Sequence, residues 1–111
     1  MRYLLPTLGG GKLEDEVARY FGRAANFVII FEEDGQFRIE GIVPNTYREI
    51  EFPGENTARL AASRKDINVA LADNMVDDSK KVLENAGIRV SLGHHRVSLR
   101  QAIKDYLKKS G

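Results

Sequence analysis

The 111-residue chain has no cysteine and no tryptophan, only three prolines, and a formal net charge of +1. Without cysteine it can form no disulfide, no thiolate zinc site and no ordinary cysteine-ligated iron–sulfur cluster. The balanced charge rules out a bulk polycation built for nucleic acid, so any electrostatic preference must come from how the charges are arranged. Long apolar runs are also missing. The strongest, Phe27-Val28-Ile29-Ile30-Phe31, is far short of the ~20 residues needed to cross a bilayer. The opening Met1-Arg2-Tyr3-Leu4-Leu5-Pro6 is too short for a signal peptide, and the expectation is a cytoplasmic protein. What is present is an ordinary globular mixture, 42% hydrophobic and 30% charged, in a length that suits one domain over residues 1–111.

The elements follow from periodicity and punctuation. Residues 2–5 suggest a first strand, ended by Pro6 because proline cannot donate to a central ladder. A glycine-rich loop over 7–12 leads to a short helix predicted over 13–20, from the helical spacing of Leu13, Val17 and Tyr20 and the early acids Glu14, Asp15 and Glu16. The tetrad Phe21-Gly22-Arg23-Ala24 then combines a large ring, a flexible residue, a cation and a small residue, which suits close backbone approach. Residues 26–32 form a buried-type strand, Asp34-Gly35 a tight hairpin, and residues 37–43 a strand with one wetter face. Residues 47–52 fit either an edge strand or an ordered loop.

In the second half, Asn56 or Thr57 is expected to cap a helix running to Arg64, with a small-residue face of Ala58, Ala61 and Ala62. Residues 68–72 form a strand. Asn74 is expected to cap a helix whose inner face is Val76, Ser79, Val82, Leu83 and Ala86, closed by Gly87. Residues 89–92 give the last strand. Ser98 and Gln101 are spaced as a capping box before a final helix that buries Leu99, Ala102, Ile103, Tyr106 and Leu107. This order implies an α/β fold: a mixed sheet of about five strands, an antiparallel meander followed by crossovers, with helices on both faces.

Several of these segments also carry a family resemblance. Leu5-Pro6-Thr7, Tyr20-Phe21-Gly22-Arg23-Ala24, Asp34-Gly35, Glu84-Asn85-Ala86-Gly87-Ile88-Arg89-Val90 and the helix from Ser98 to Tyr106 together resemble the dinitrogenase iron–molybdenum cofactor biosynthesis family, the NifX-like domain also found at the end of NifB-type proteins. The resemblance implies a three-layer ribonuclease-H-like fold. It also implies a non-enzymatic binding or carrier role for iron–sulfur or iron–molybdenum cluster species, with a donor or acceptor protein as partner.

Ligands of such sheets gather beyond the carboxyl ends of the strands, where three loops meet: 7–12, 73–75 and 93–96. The candidate cofactor-binding residues are therefore Thr7, Lys12, Arg23, Asn74, Met75, His94, His95 and Arg96. Imidazole ligates iron, so His94 and His95 are the candidate metal ligands, with Lys12, Arg23 and Arg96 to draw an anionic species. Adjacent residues in an extended loop point opposite ways, which argues against both histidines chelating one metal. Arg23 equally suits carbonyl capping near the turn, and Met75 either ligates softly or fills a gap.

Gly9-Gly10-Gly11-Lys12 lacks phosphate-loop spacing, with Pro6 where the first glycine belongs and Leu13 where Ser or Thr should bind magnesium. A two-metal nuclease needs clustered carboxylates, and the first strand supplies none. The basic stripe Arg100, Lys104 and Lys108 offers the alternative of a metal-free protein- or RNA-interaction module, although nucleic acid is not the expected partner of so neutral a chain.

Overall fold

In the first strand, β1 (Arg2–Thr7), alternate side chains face opposite ways, and both faces are buried. Leu4 points into one apolar layer and Tyr3 and Leu5 into another. Two-sided burial places β1 at the centre of a sheet. A computed structural model, which describes residues 1–64 and 66–110, shows it there: five strands lie in the order β3-β2-β1-β4-β5. The others are β2 (Asn26–Glu33), β3 (Gln36–Pro44), β4 (Val69–Leu71) and β5 (Arg89–Ser91). β1 runs antiparallel to β2, and β2 to β3, while β1, β4 and β5 are mutually parallel. The mixed sheet of five strands is as expected, and its order is compatible with a ribonuclease-H-like arrangement.

Three helices complete the layers. α1 (Gly54–Ala62) and α2 (Asp77–Asn85) pack against each other and cover one face, burying Ala58, Ala61 and Leu83 with Phe21, Phe27 and Ala70. α3 (Leu99–Ser110) covers the other, burying Leu99, Ala102, Ile103 and Tyr106 against Tyr3, Val28 and Leu71. In the β2–β3 hairpin, Asp34 and Gly35 have φ of 51° and 80°, the paired positive values that such a two-residue turn requires.

At several points the local structure departs from the sequence pattern. Pro6 does not end β1; it pairs with Phe27 inside the central strand. β4 pairs with β1 only at Tyr3 and Leu4, and the Pro6 carbonyl accepts from the Ala18 N–H at 2.8 Å on that side. A residue's N–H and C=O share a side of a strand, so the missing donor faces a stretch where β4 has no ladder to complete.

Residues 13–20 form no helix. Their polar groups are bound elsewhere: Asp15 Oδ2 accepts from the Gly11 and Lys12 N–H groups, and the Leu13 and Asp15 carbonyls accept from Arg100 and Leu99 at the start of α3. The segment caps another helix instead of making its own.

Residues 47–52 take the ordered-loop form of the two expected. α1 begins at Gly54, so neither Asn56 nor Thr57 caps it; Thr57 is buried and its hydroxyl faces Asn45. α2 begins at Asp77, so Asn74 is not its cap, and Val76 is exposed outside its inner face. At α3, Ser98 Oγ accepts from the Gln101 N–H at 3.0 Å, but the Gln101 amide donates to Asp105, leaving half of the capping box.

Candidate functional site

Because β1, β4 and β5 are parallel, their carboxyl ends lie on one side of the sheet, and backbone bonds tie the loops that follow. The Gly93 N–H donates to the Asp73 carbonyl at 3.1 Å and the His94 N–H to the Ala72 carbonyl at 3.2 Å. The Asn74 N–H and side-chain amide both donate to the Arg19 carbonyl, and the Asn74 carbonyl accepts from the Phe21 N–H. Two cavities flank this crossing.

The smaller, about 400 Å³, is lined by Thr7, Arg19, Asp73, His95 and Arg96, with Asp15 and Glu16 on its wall. Thr7 is fully buried. Its hydroxyl donates to the Glu16 carbonyl at 2.8 Å and accepts from the Gly9 N–H at 3.1 Å, so it shapes the wall. The Asp15 carboxyl is held below the usual carboxylate range by the Lys12 and Gly11 N–H groups that it accepts.

His95 is the chemically open group here. Its Nδ1 lies 2.6 Å from Asp73 Oδ2, and a carboxylate only accepts, so the proton sits on Nδ1. In the neutral ring that leaves the Nε2 lone pair free, the orientation that a carboxylate imposes on metal-binding histidines.

His94 is placed differently, as opposite pointing of neighbours predicts. It is 6% exposed, lines neither cavity, and its Nε2 lies 2.9 Å from Ser91 Oγ. Burial lowers its pKa, helped by Lys109 and opposed by Asp105 and Asp73. A histidine with a depressed folded pKa stabilises fully above its unfolded value of about 6.5 and loses that contribution as pH falls toward the depressed value. The urea midpoint is therefore expected to drop more between about pH 8 and about pH 5 in the wild type than in His94→Gln. Equal drops would show that His94 carries no such linkage.

The larger cavity, about 840 Å³, takes in Arg23, Asn74 and Met75 together with the 3₁₀ turn Phe21–Arg23. The Arg23 guanidinium donates to the Arg48 carbonyl at 2.6 Å, the Ile50 carbonyl at 2.7 Å and the Glu51 carbonyl at 3.2 Å. It is the carbonyl clamp that organises the 47–52 loop. Met75 packs against the α1/α2 core. Lys12 is exposed and lines neither cavity.

The predicted set thus divides: Thr7, His95 and Arg96 meet in one cavity, Arg23, Asn74 and Met75 in the other. Asp73 lines both. No sequence motif marks Arg19 or pairs Asp73 with His95. The available signal was an acid just after one parallel strand and a histidine just after its neighbour. In the basic stripe, Arg100 already pairs with Glu14 at 2.7 Å and stacks over Phe37. Among the described residues no group of three or more His, Cys, Asp or Glu side chains is arranged to hold a metal ion. None of the described helices is long and apolar enough to cross a membrane.

Comparisons with known proteins agree with this architecture. The dinitrogenase iron–molybdenum cofactor family profile matches residues 1–109. The apo form of the orange protein from Desulfovibrio gigas is similar at 27% identity and a TM-score of 0.83, over 97% of this chain and 88% of that one. A Thermotoga protein of the DUF35 family, named as a NifB candidate, shares the fold at 24% identity and a TM-score of 0.73, over 96% of this chain and 87% of that one. No curated protein matches the chain.

Proposed function

Since the chain belongs to the dinitrogenase iron–molybdenum cofactor family, we propose that it is a non-enzymatic carrier that holds an anionic iron–sulfur or iron–molybdenum cluster species as cargo. The observation that supports this most is His95, fixed by Asp73 with its Nε2 free beside a cavity that Arg19 and Arg96 also line. In this reading Nε2 ligates a metal of the cluster, and the two guanidinium groups offset its negative charge. One imidazole and no thiolate make a weak donor set, which fits a species received and passed on better than a resident centre. His94 supports the loop from within, and Lys12 adds positive charge from the neighbouring loop. The description of the similar orange protein as an apo form is consistent with a ligand-binding fold. The carrier would work in the cytoplasm, between a protein that donates the cluster and one that accepts it.

Anaerobic reconstitution with ferrous iron and sulfide, or with isolated iron–molybdenum cofactor, tests this. A visible chromophore with an EPR signal is expected to co-elute with the wild type on gel filtration, to be lost from His95→Ala, and to survive in His94→Ala. No co-eluting chromophore would remove cluster carriage. Full retention in His95→Ala would remove that ligand while leaving carriage standing.

A further inference from the structure

The larger cavity has a different character from the cargo cavity. Four side chains along it are apolar and conspicuously wet: Phe52 is 82% exposed, Val76 61%, Tyr20 53% and Leu92 41%. Ten large hydrophobic residues are left exposed among those described, and four of the ten converge on this one cleft. Single exposed apolar residues are ordinary, whereas a contiguous group around a concavity marks an interaction surface.

The cleft is also held in shape. Arg23 anchors the segment before Phe52 through three carbonyls. Pro53 packs where a Cβ on Gly22 would lie 3.2 Å away, and a Cβ on Gly54 would lie 2.5 Å from Val76 Cγ2, so both walls meet at glycines. A wall ordered in advance lowers the entropy that a binding partner has to overcome.

Charge narrows the choice of occupant. Glu51, Glu55 and Asp78 line the cleft, with Asp73 already engaged by His95, against the lining cation Arg23, whose guanidinium faces carbonyls. Glu55 shares its charge with Arg59 at 2.6 Å, and Asp77 adds another carboxylate beside Asp78 in the first turn of α2. Such a rim repels nucleic acid and anionic lipid, and attracts cations. The basic end of α3 in a second copy does not fit, because its apolar residues Leu99, Ala102, Ile103 and Tyr106 are buried in their own core and offer no anchor beside Lys104 and Lys108. An apolar floor with aromatic edges and an acidic rim suits a segment that carries large apolar residues flanked by lysine or arginine.

We propose that this cleft docks a basic amphipathic segment of a partner protein. Its apolar side chains seat among Phe52, Val76, Tyr20 and Leu92, and its cations pair with Glu51 and Asp78. The proposal is separable from cluster carriage, because the surface shares only Asp73 with the cargo cavity and includes neither His95 nor Arg96.

The test uses three fluorescein-labelled peptides of equal length on the full, metal-free chain: one of leucine and lysine in amphipathic order, one with glutamate for lysine, and one with serine for leucine. Anisotropy is expected to show the leucine–lysine peptide binding at least about tenfold tighter than either control. Phe52→Ser and Val76→Ser, both at exposed positions, are each expected to weaken it by about tenfold. Glu51→Gln with Asp78→Asn should weaken it and flatten its salt dependence. Lys104→Gln should leave it unchanged. Amide chemical-shift changes should fall on residues 20–23, 51–55 and 73–78. No binding of the leucine–lysine peptide, equal binding of the leucine–glutamate or serine–lysine peptide, or undiminished binding to Phe52→Ser and Val76→Ser would each overturn the proposal.

Discussion

Replacing Phe21 with alanine is expected to lower the unfolding free energy by about 3–5 kcal/mol, one of the largest losses open to a single substitution in this fold. The ring is 1% exposed and lies 4.7 Å, centroid to centroid, from that of Phe27, tilted by 45°. The size of the loss depends on whether the hole can collapse. Collapse is opposed on both sides. Phe27 belongs to β2, which is laddered to β1 and β3, and the Phe21 backbone is pinned by its N–H donating to the Asn74 carbonyl at 3.0 Å. Urea unfolding followed by circular dichroism should show a lower midpoint at nearly unchanged slope. A shift worth less than about 1 kcal/mol would mean that the tetrad moves in to fill the space.

The second large effect is expected at Asn45. Its side-chain amide donates to the Gly22 carbonyl at 3.1 Å and to the buried Ala24 carbonyl at 2.9 Å, while its Oδ1 accepts from the Tyr47 N–H and faces the Thr57 hydroxyl. One side chain at the end of β3 thereby joins the 3₁₀ turn, the 47–52 loop and α1. Asn45→Ala leaves these groups in place without their partner, and unpaired buried polar groups cost about 1–3 kcal/mol each. A loss of about 2–3 kcal/mol is expected. Asn45→Asp should lose at least as much, since it sets carboxylate oxygen against carbonyl oxygen. Asn45 and Phe21 support the same turn, so the double variant should lose less than the sum of the two single losses. Additive losses would show that the two residues act independently.

Those two residues also show what was legible in the sequence. Phe21 could be found, because the tetrad Phe21-Gly22-Arg23-Ala24 stands out beside the most apolar run. The strands, the Asp34-Gly35 hairpin, the sheet of five and the helices on both faces could be found too, because each rests on local periodicity or a turn signal. Asn45 carries no such signal, since nothing nearby shows that its amide reaches a turn more than twenty residues earlier. The segment 13–20 failed as a helix for a related reason: its spacing is helical, but the start of α3 claims its carbonyls. Pro6 misled because its effect depends on how far β4 extends, which no local pattern states.

At the site, the loops after the parallel strands do adjoin one another, but they divide between two cavities. Adjacent histidines could be expected to diverge. Which one turns inward was settled by Ser91 and Asp73, the partners at either hand.

The central place of β1 has a consequence for the order in which the chain can assemble. Its neighbour on one side, β2, follows closely and can close on it as soon as both have left the ribosome. Its neighbour on the other side pairs through Tyr3 with Val69 and Leu4 with Ala70, more than sixty residues later. Until then a nascent chain carries a three-stranded sheet with one edge of β1 unpaired and two apolar faces uncovered, the kind of template that recruits stray strands. Pairing β1 to β4 closes a long loop and so comes at a slow step. Moving the β1 sequence to follow α3 would reverse this timing: β2 and β3 would form a lone hairpin, and β1 would enter last, between two strands already waiting for it.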